Sequence, residues 1–312
     1  MADRALITGG AGFIGNHIAR ILLAKGWEVV CYDDLSVGKR EYVPDGAELV
    51  VGDIRDHDNL VEAMHGCRHV YHLAARVSIR KAVDTFIDDA EINTLGTLRV
   101  LQAARDCGVG RFHYASSMAV YGDVEYTPQD EKHPHNPTSP YGIAKSASEK
   151  YILAMAPRWD IEPVITRYFN TYGPRQTPNP YVGVITIFCR KLFAGEAPTI
   201  FGDGEQVRDF IHVEDIARGS VLALNEAPPG SIVNLGTGIG TSVNEVAKIL
   251  VEKINPGITP LHADPVPGEP GDSIADISHA RELVGWEPEN KLETAIGDAI
   301  EWNREQIEKD MN

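Results

Sequence analysis

Cysteine is scarce in this chain. It has four, Cys31, Cys67, Cys107 and Cys189, in 312 residues. None forms a C-x-x-C pair and none stands at zinc-ligand spacing from a histidine, so neither a redox pair nor a metal site is expected. Cys31 lies inside the apolar run EVVCY and reads as a small core residue. Long apolar runs are also missing, and none approaches the ~20 residues that a membrane span requires. MADR leads directly into a strand pattern, without the apolar stretch of a secretory leader. A reducing, cytoplasmic setting is the expectation. Cations are few, 29 Lys and Arg against 45 Asp and Glu, for a net charge of −16. A surface of that sign repels nucleic-acid phosphates and anionic lipid, so neither is expected as a partner. Most of this acidity serves solubility. A site for an anionic small molecule must therefore gather its own cations. Internal repeats and low-complexity tracts are absent.

What is present is enough apolar material, 43% of residues, for a large core. RALIT at 4–8, EVVCYDD at 28–34, AELVVGDI at 47–54, RHVYHLAA at 68–75, RFHYASS at 111–117 and EPVITRYFN at 162–170 read as strands. Helical stretches alternate with them: 13–25, LVEAMHGC, a long one at 92–108, and one opening at Ser139 as N-cap with Pro140 in its first turn. This alternation predicts an α/β fold with a doubly wound parallel sheet. From about residue 171 prolines and glycines become frequent, and a smaller, loop-rich lobe is expected there.

Between the first strand and the first helix stands TGGAGFIG, with Gly9, Gly12 and Gly15 as G-x-x-G-x-x-G. A glycine triplet alone is weak evidence, but a strand before it and a helix after it make it a dinucleotide loop. Glycine lets backbone approach a pyrophosphate, and the helix N-terminus, here with Phe13 and Ile14, adds amide donors and partial positive charge. The second strand ends in Asp33-Asp34. Asp33 is 18 residues beyond Gly15, near the ~20 expected for an acid that binds the adenosine ribose diol and repels a 2′-phosphate. NAD is thereby favoured over NADP. Asp53 and Ile54, ending the third strand, are candidates for the adenine.

SPYGIAK at 139–145 places Tyr141 and Lys145 one helical turn apart. By spacing alone this is a surface tyrosine on a lysine stem. The surrounding motifs change that reading. The glycine spacing, HLAA at 72–75, YASSMAVYG at 114–122 and the Tyr-x-x-x-Lys together resemble the extended short-chain dehydrogenase/reductase family. RYFNTYGPRQ at 167–176, FGDGEQVRDFIHVEDIA at 201–217 and NLGTG at 234–238 resemble its UDP-glucose 4-epimerase group.

That resemblance implies a Rossmann-type domain from residues 1–170 and about 212–238, and a C-terminal α/β nucleotide-sugar lobe from about 171–211 and 239–312. It implies Tyr141 as base, Lys145 as its helper and Ser117 as the hydroxyl on the sugar oxygen. An unperturbed tyrosine titrates near ~10, so positive charge from Lys145 and a nicotinamide cation would poise it. The resemblance adds Leu73, Ala74, Ala75, Asn93 and Tyr168 to the NAD contacts. For a UDP-sugar it implies Ser117, Asn170, Val184, Thr199, Phe201, Arg208 and Glu269, with Arg208 clamping a phosphate. It also implies a homodimer through a four-helix interface built from the 92–108 helix and the helix opening at Ser139. The expected reaction passes through a 4-keto sugar whose hydride returns to the opposite face.

Three departures matter. Val266 stands where relatives commonly carry a diphosphate-binding arginine. Ser273 stands where some carry a bulky tyrosine, leaving room for N-acetylated sugars. Met118-Ala119 replaces the Asp-Glu pair of the related 4,6-dehydratases, which argues against dehydration. Arg76 either reaches substrate or pairs with an acid such as Asp84. The alternatives are a uronate epimerase or decarboxylase, or a reductase with a releasable cofactor, which Asp33 disfavours. A non-catalytic dinucleotide-binding regulator is a third, against which the retained tyrosine, lysine and serine speak.

Overall fold

The computed structural model describes residues 3–77, 85–177, 183–265 and 271–311. Seven strands form one wholly parallel sheet: β1 (Arg4–Thr8), β2 (Glu28–Asp33), β3 (Glu48–Val51), β4 (His69–His72), β5 (Arg111–Ser117), β6 (Glu162–Tyr168) and a late strand, β10 (Ile232–Leu235). Their order is β10-β6-β5-β4-β1-β2-β3. The chain winds outward from β1 through β2 to β3, returns beside β1 as β4, and winds the other way. The carboxyl ends of β1 and β4 therefore bound the switch-point crevice where such sheets bind ligands.

Helices cover both faces because the strands are apolar on both. On one face lie α2 (His57–Met64), α4 (Thr97–Asp106) and α5 (Pro140–Met155), packed on Leu6, Val70, Phe112 and Ile165. On the other lie α1 (Gly15–Ala24) and α7 (Val213–Glu226), packed on Ile7, Val29, Tyr71 and Val164. Cys31 is fully buried in this second layer, and all four cysteines are free thiols.

The expected helix at 92–108 is not uniform. A short helix, α3 (Phe86–Ala90), runs into a π-helical turn over Glu91–Gly96 before α4 begins. The strand read at 162–170 also divides. β6 ends at Tyr168, and β7 (Asn170–Tyr172) joins a different sheet. That sheet, in order β11-β9-β7, includes β9 (Val207–His212) and β11 (Gly240–Ser242). A parallel pair, β8 (Thr199–Phe201) with β12 (Leu261–Ala263), completes the strands. Around these lie α6 (Val184–Phe193), α8 (Val243–Ile254), α9 (Ser278–Val284) and α10 (Leu292–Met311). Phe188, Leu192, Leu250 and Ile296 form a core of their own there. Asp209, fully buried at the centre, accepts from Thr237 N, Gly238 N and Ala275 N and ties the NLGTG turn to β9.

Candidate active site

The turn after β1 is tight for a steric reason. Gly9 has φ +71°, and a Cβ there would come 2.9 Å from the Ala74 amide nitrogen. At Gly15 a Cβ would strike the Gly9 carbonyl oxygen. A side chain at Gly9 would press on the HLAA segment, and one at Gly15 would collide with the turn itself. Glycine instead leaves backbone at the mouth of the crevice, under the first turn of α1. Leu73, Ala74 and Ala75 line the other side, with the Leu73 and Ala74 amides held by Thr8 Oγ1 at 3.2 Å each.

Asp33 ends β2 buried. Its carboxylate accepts from Ala11 N at 3.0 Å and Leu35 N at 2.9 Å. Burial raises its pKa, and these two amides hold it back. Each carboxylate oxygen keeps a lone-pair direction beyond those bonds. Asp34 is exposed and its Oδ1 bonds Ser36. Asp53 is engaged by its neighbour: Arg55 holds the carboxylate through Nε and Nη2, and this lowers its pKa. Ile54 is buried against Gly96.

The Ser139 hydroxyl accepts from Gly142 N at 3.1 Å and starts α5 with Pro140 in the first turn, as the sequence predicts. Tyr141 and Lys145 then face inward, at 7% and 3% exposure. The Lys145 ammonium donates to Ala115 O at 2.7 Å and lies 4.6 Å from the Tyr114 ring centroid and 5.8 Å from that of Tyr141. Burial pulls Lys145 down to about 7, with Glu149 and Asp89 opposing. Burial pushes Tyr141 far above its ordinary range, and Ser117 offsets part of that. Ser117 ends β5, its hydroxyl accepting from Ala119 N at 3.2 Å. The three side chains thus converge at the carboxyl edge of the sheet.

Asn93 sits inside the π turn, a distortion found often at functional sites. Its amide donates to Asp89 Oδ1 and Arg76 O, and its Oδ1 accepts from Arg76 N. Arg76 pairs with Asp88 at 3.2 Å. Tyr168 places its hydroxyl 2.7 Å from Ser220 Oγ. In the other half, Val184 opens α6, Thr199 and Phe201 bound β8, and Asn170 opens β7. Arg208 on β9 donates to Val207 O and Gly271 O. Ser273 is fully buried beside it. Val266, Glu269 and Asp84 lie outside the described residues.

Sequence reading missed a buried network behind the cluster. Glu149, one turn beyond Lys145, accepts from Ser116 Oγ at 2.5 Å and from Arg167 Nε and Nη2 at 3.0 and 2.7 Å. Arg167 also donates to the Tyr121 hydroxyl and Glu131 O. The available signal was an arginine in the middle of the apolar run EPVITRYFN, since a charge inside a buried strand requires a partner.

A glycine turn at the switch point of a parallel sheet, with a serine beside a buried tyrosine and lysine at its carboxyl edge, defines the dinucleotide-binding α/β proteins of short-chain dehydrogenase/reductase type. The chain belongs to the NAD dependent epimerase/dehydratase family, whose model matches residues 5–236. It is 37% identical over 308 residues to the UDP-glucose 4-epimerase of Mycolicibacterium smegmatis, covering 96% of this chain and 98% of that one. It also superimposes on solved structures. The Thermotoga maritima UDP-glucose 4-epimerase with UDP-glucose gives a TM-score of 0.94 at 36% identity, covering 97% and 99% of the two chains. The Thermus thermophilus UDP-glucose 4-epimerase complexed with NAD gives 0.90 at 36%, covering 96% and 99%. No helix among the described residues is long and apolar enough to cross a membrane, and none of their acid, histidine and cysteine groups forms a metal-binding cluster.

Proposed function

We propose that this chain is an NAD-dependent isomerase that inverts C4 of a UDP-hexose, interconverting UDP-glucose and UDP-galactose through a 4-keto intermediate. The observation that carries this reading is the convergence of the buried Tyr141 and Lys145 with the half-buried Ser117 beside the glycine turn. The same residues fit NAD: a Cβ at Gly9 or Gly15 would disrupt the turn, and Asp33 offers acceptors for a ribose diol. Gly9, Gly12, Phe13, Ile14 and Gly15 would hold the pyrophosphate. Asp33 and Asp34 would take the ribose, Asp53 and Ile54 the adenine side, and Leu73 to Ala75, Asn93 and Tyr168 the remainder. Bound NAD supplies the acceptor, and on return the donor, of the C4 hydride.

Tyr141 takes the C4 hydroxyl proton, and Ser117 holds the same oxygen. Tyr141 ionises near neutral pH only when positive charge stands beside it. Lys145 provides part of that charge and would hydrogen-bond the ribose of a bound NAD. On return, Tyr141 gives the proton back to the 4-keto oxygen. Asn170, Val184, Thr199, Phe201 and Arg208 would grip UDP, with Glu269 on a ribose hydroxyl, so that the sugar can turn while the nucleotide stays. We read residues 1–170 and about 212–238 as the cofactor domain and the remainder as the substrate lobe. Phe86, Ile87, Leu95, Ile143 and Tyr151 are exposed along α3, the π turn and α5, which fits a homodimer through those helices. The setting is the cytoplasm.

The test is incubation of pure protein with UDP-glucose, UDP-GlcNAc and UDP-glucuronate separately, followed by chromatography of the products. UDP-galactose must appear from UDP-glucose, and Tyr141→Phe must abolish it, by ~10³-fold or more, with the fold intact. Conversion of UDP-glucuronate alone would favour uronate chemistry, and conversion of none would favour a regulator. UDP-GlcNAc is a second expected substrate because Ser273 is small.

A further inference from the structure

The arginine inside β6 uses every donor it has. Arg167 Nε and Nη2 donate to the two oxygens of Glu149 at 3.0 and 2.7 Å. Nη2 also donates to His135 Nε2 at 2.7 Å, and Nη1 donates to the Tyr121 hydroxyl and to Glu131 O at 3.1 Å each. A guanidinium carries five N–H groups, and all five are placed. His135 accepts at Nε2, so its proton sits on Nδ1, which donates to Ser146 Oγ at 3.1 Å. The Tyr121 hydroxyl donates in turn to Asn234 Oδ1 at 2.6 Å. A buried ion pair often stabilises no more than apolar residues of the same volume, so stability alone does not account for this one.

Its neighbours do. Tyr141, Lys145 and Glu149 follow one another at four-residue spacing on one face of α5. Lys145 Nζ donates to Ala115 O of β5, and Glu149 accepts from Ser116 Oγ of the same strand at 2.5 Å. These two contacts fall on consecutive residues, and Ser117 is the next. Arg167 stands opposite Ser116 in the parallel register of β5 and β6, which brings it to the same carboxylate. Glu131 and His135 lie on the segment that leads into the Ser139 cap, and Tyr121 ends the turn that follows Ser117. One guanidinium thus ties together the segments that carry Ser117 and Tyr141.

We propose that Glu149 and Arg167 are positioning residues for the reaction: their pair fixes α5 along the end of β5, so that Tyr141 and Ser117 meet the same substrate oxygen. Both side chains are buried behind the crevice and act through these neighbours. This inference rests on reading the site as that of a UDP-hexose epimerase.

The experiment compares kcat, KM for UDP-glucose and melting temperature in the wild type, in Ser116→Ala and in the double variant Glu149→Met with Arg167→Met. The double variant removes both charges and keeps the volume, so it melts within about 5 °C of wild type. Its kcat falls by about 10-fold or more, the scale of a displaced catalytic group. KM stays within about threefold, because the residues that would hold UDP lie in the other lobe. Ser116→Ala leaves the ion pair whole and cuts its link to β5, and kcat falls by about threefold or more. A double variant that both melts and turns over like wild type would make the pair structural only and overturn the proposal, as would an unchanged kcat in Ser116→Ala. Ser116→Ala decides alone if the double variant does not fold. UDP-glucose converted by none of the three proteins, wild type included, would instead overturn the functional reading, and this inference with it.

Discussion

The Lys145 ammonium stands 4.6 Å from the centre of the Tyr114 ring. A cation over an aromatic face in a desolvated site gains ~2 kcal/mol, which favours the charged form against the burial that pulls Lys145 down to about 7. Tyr114→Leu removes that face, so the lysine loses its proton at lower pH. The alkaline limb of kcat, where the ammonium disappears, should move down by about 1.5 units. Tyr114→Phe keeps the ring and should leave the limb in place. The pH profiles of the two variants check this.

Lys145 also destabilises the ligand-free protein that depends on it. Its folded pKa, about 7, lies below the ordinary 10.5. Between those values the unfolded chain binds a proton that the folded chain does not, so stability from this group rises with pH across that window. Below about 7 its penalty is fully present, of the order of 5 kcal/mol. Lys145→Met should raise the melting temperature most at pH 6, and the difference from wild type should shrink toward pH 10. Calorimetry at both pH values checks this.

Glu149 and Arg167 are both buried at the back of the site, 2.7 Å apart. Removing one partner strands the other charge, so Glu149→Gln or Arg167→Met alone should cost about 3–5 kcal/mol. The double variant should recover most of that. A double-mutant cycle in urea measures the coupling.

Asp33 uses both carboxylate oxygens on backbone amides before any ligand arrives. Asp33→Ser should weaken NAD binding by roughly 10-fold or more and narrow the preference over NADP, because the ribose acceptor and the repulsion of a 2′-phosphate go together. Calorimetric titration with both cofactors checks this.

Local pattern made the strand–helix alternation, the Ser139 cap and the Tyr141–Lys145 face legible, because each is set by residues a few positions apart. The glycine turn was legible because so few residues tolerate that backbone. The division at Phe169 was not, since EPVITRYFN is one uninterrupted strand pattern and only the second sheet shows that Asn170 belongs elsewhere. The π turn at Asn93 leaves no mark on a 3.6-residue period. Nor does anything in the sequence show that Arg55 folds back onto Asp53. The Ser116–Glu149–Arg167 network joins residues far apart in sequence. Pairings of that kind are properties of the assembled fold.

The central claim is that one hydride leaves C4 and returns to the same carbon while the cofactor stays bound. UDP-glucose deuterated at C4 tests it directly, with the product read by mass spectrometry and NMR. The account predicts UDP-galactose carrying the deuterium at C4, undiluted by solvent and unchanged when unlabelled NADH is added. Deuterium lost to water, or diluted by the added NADH, would contradict it.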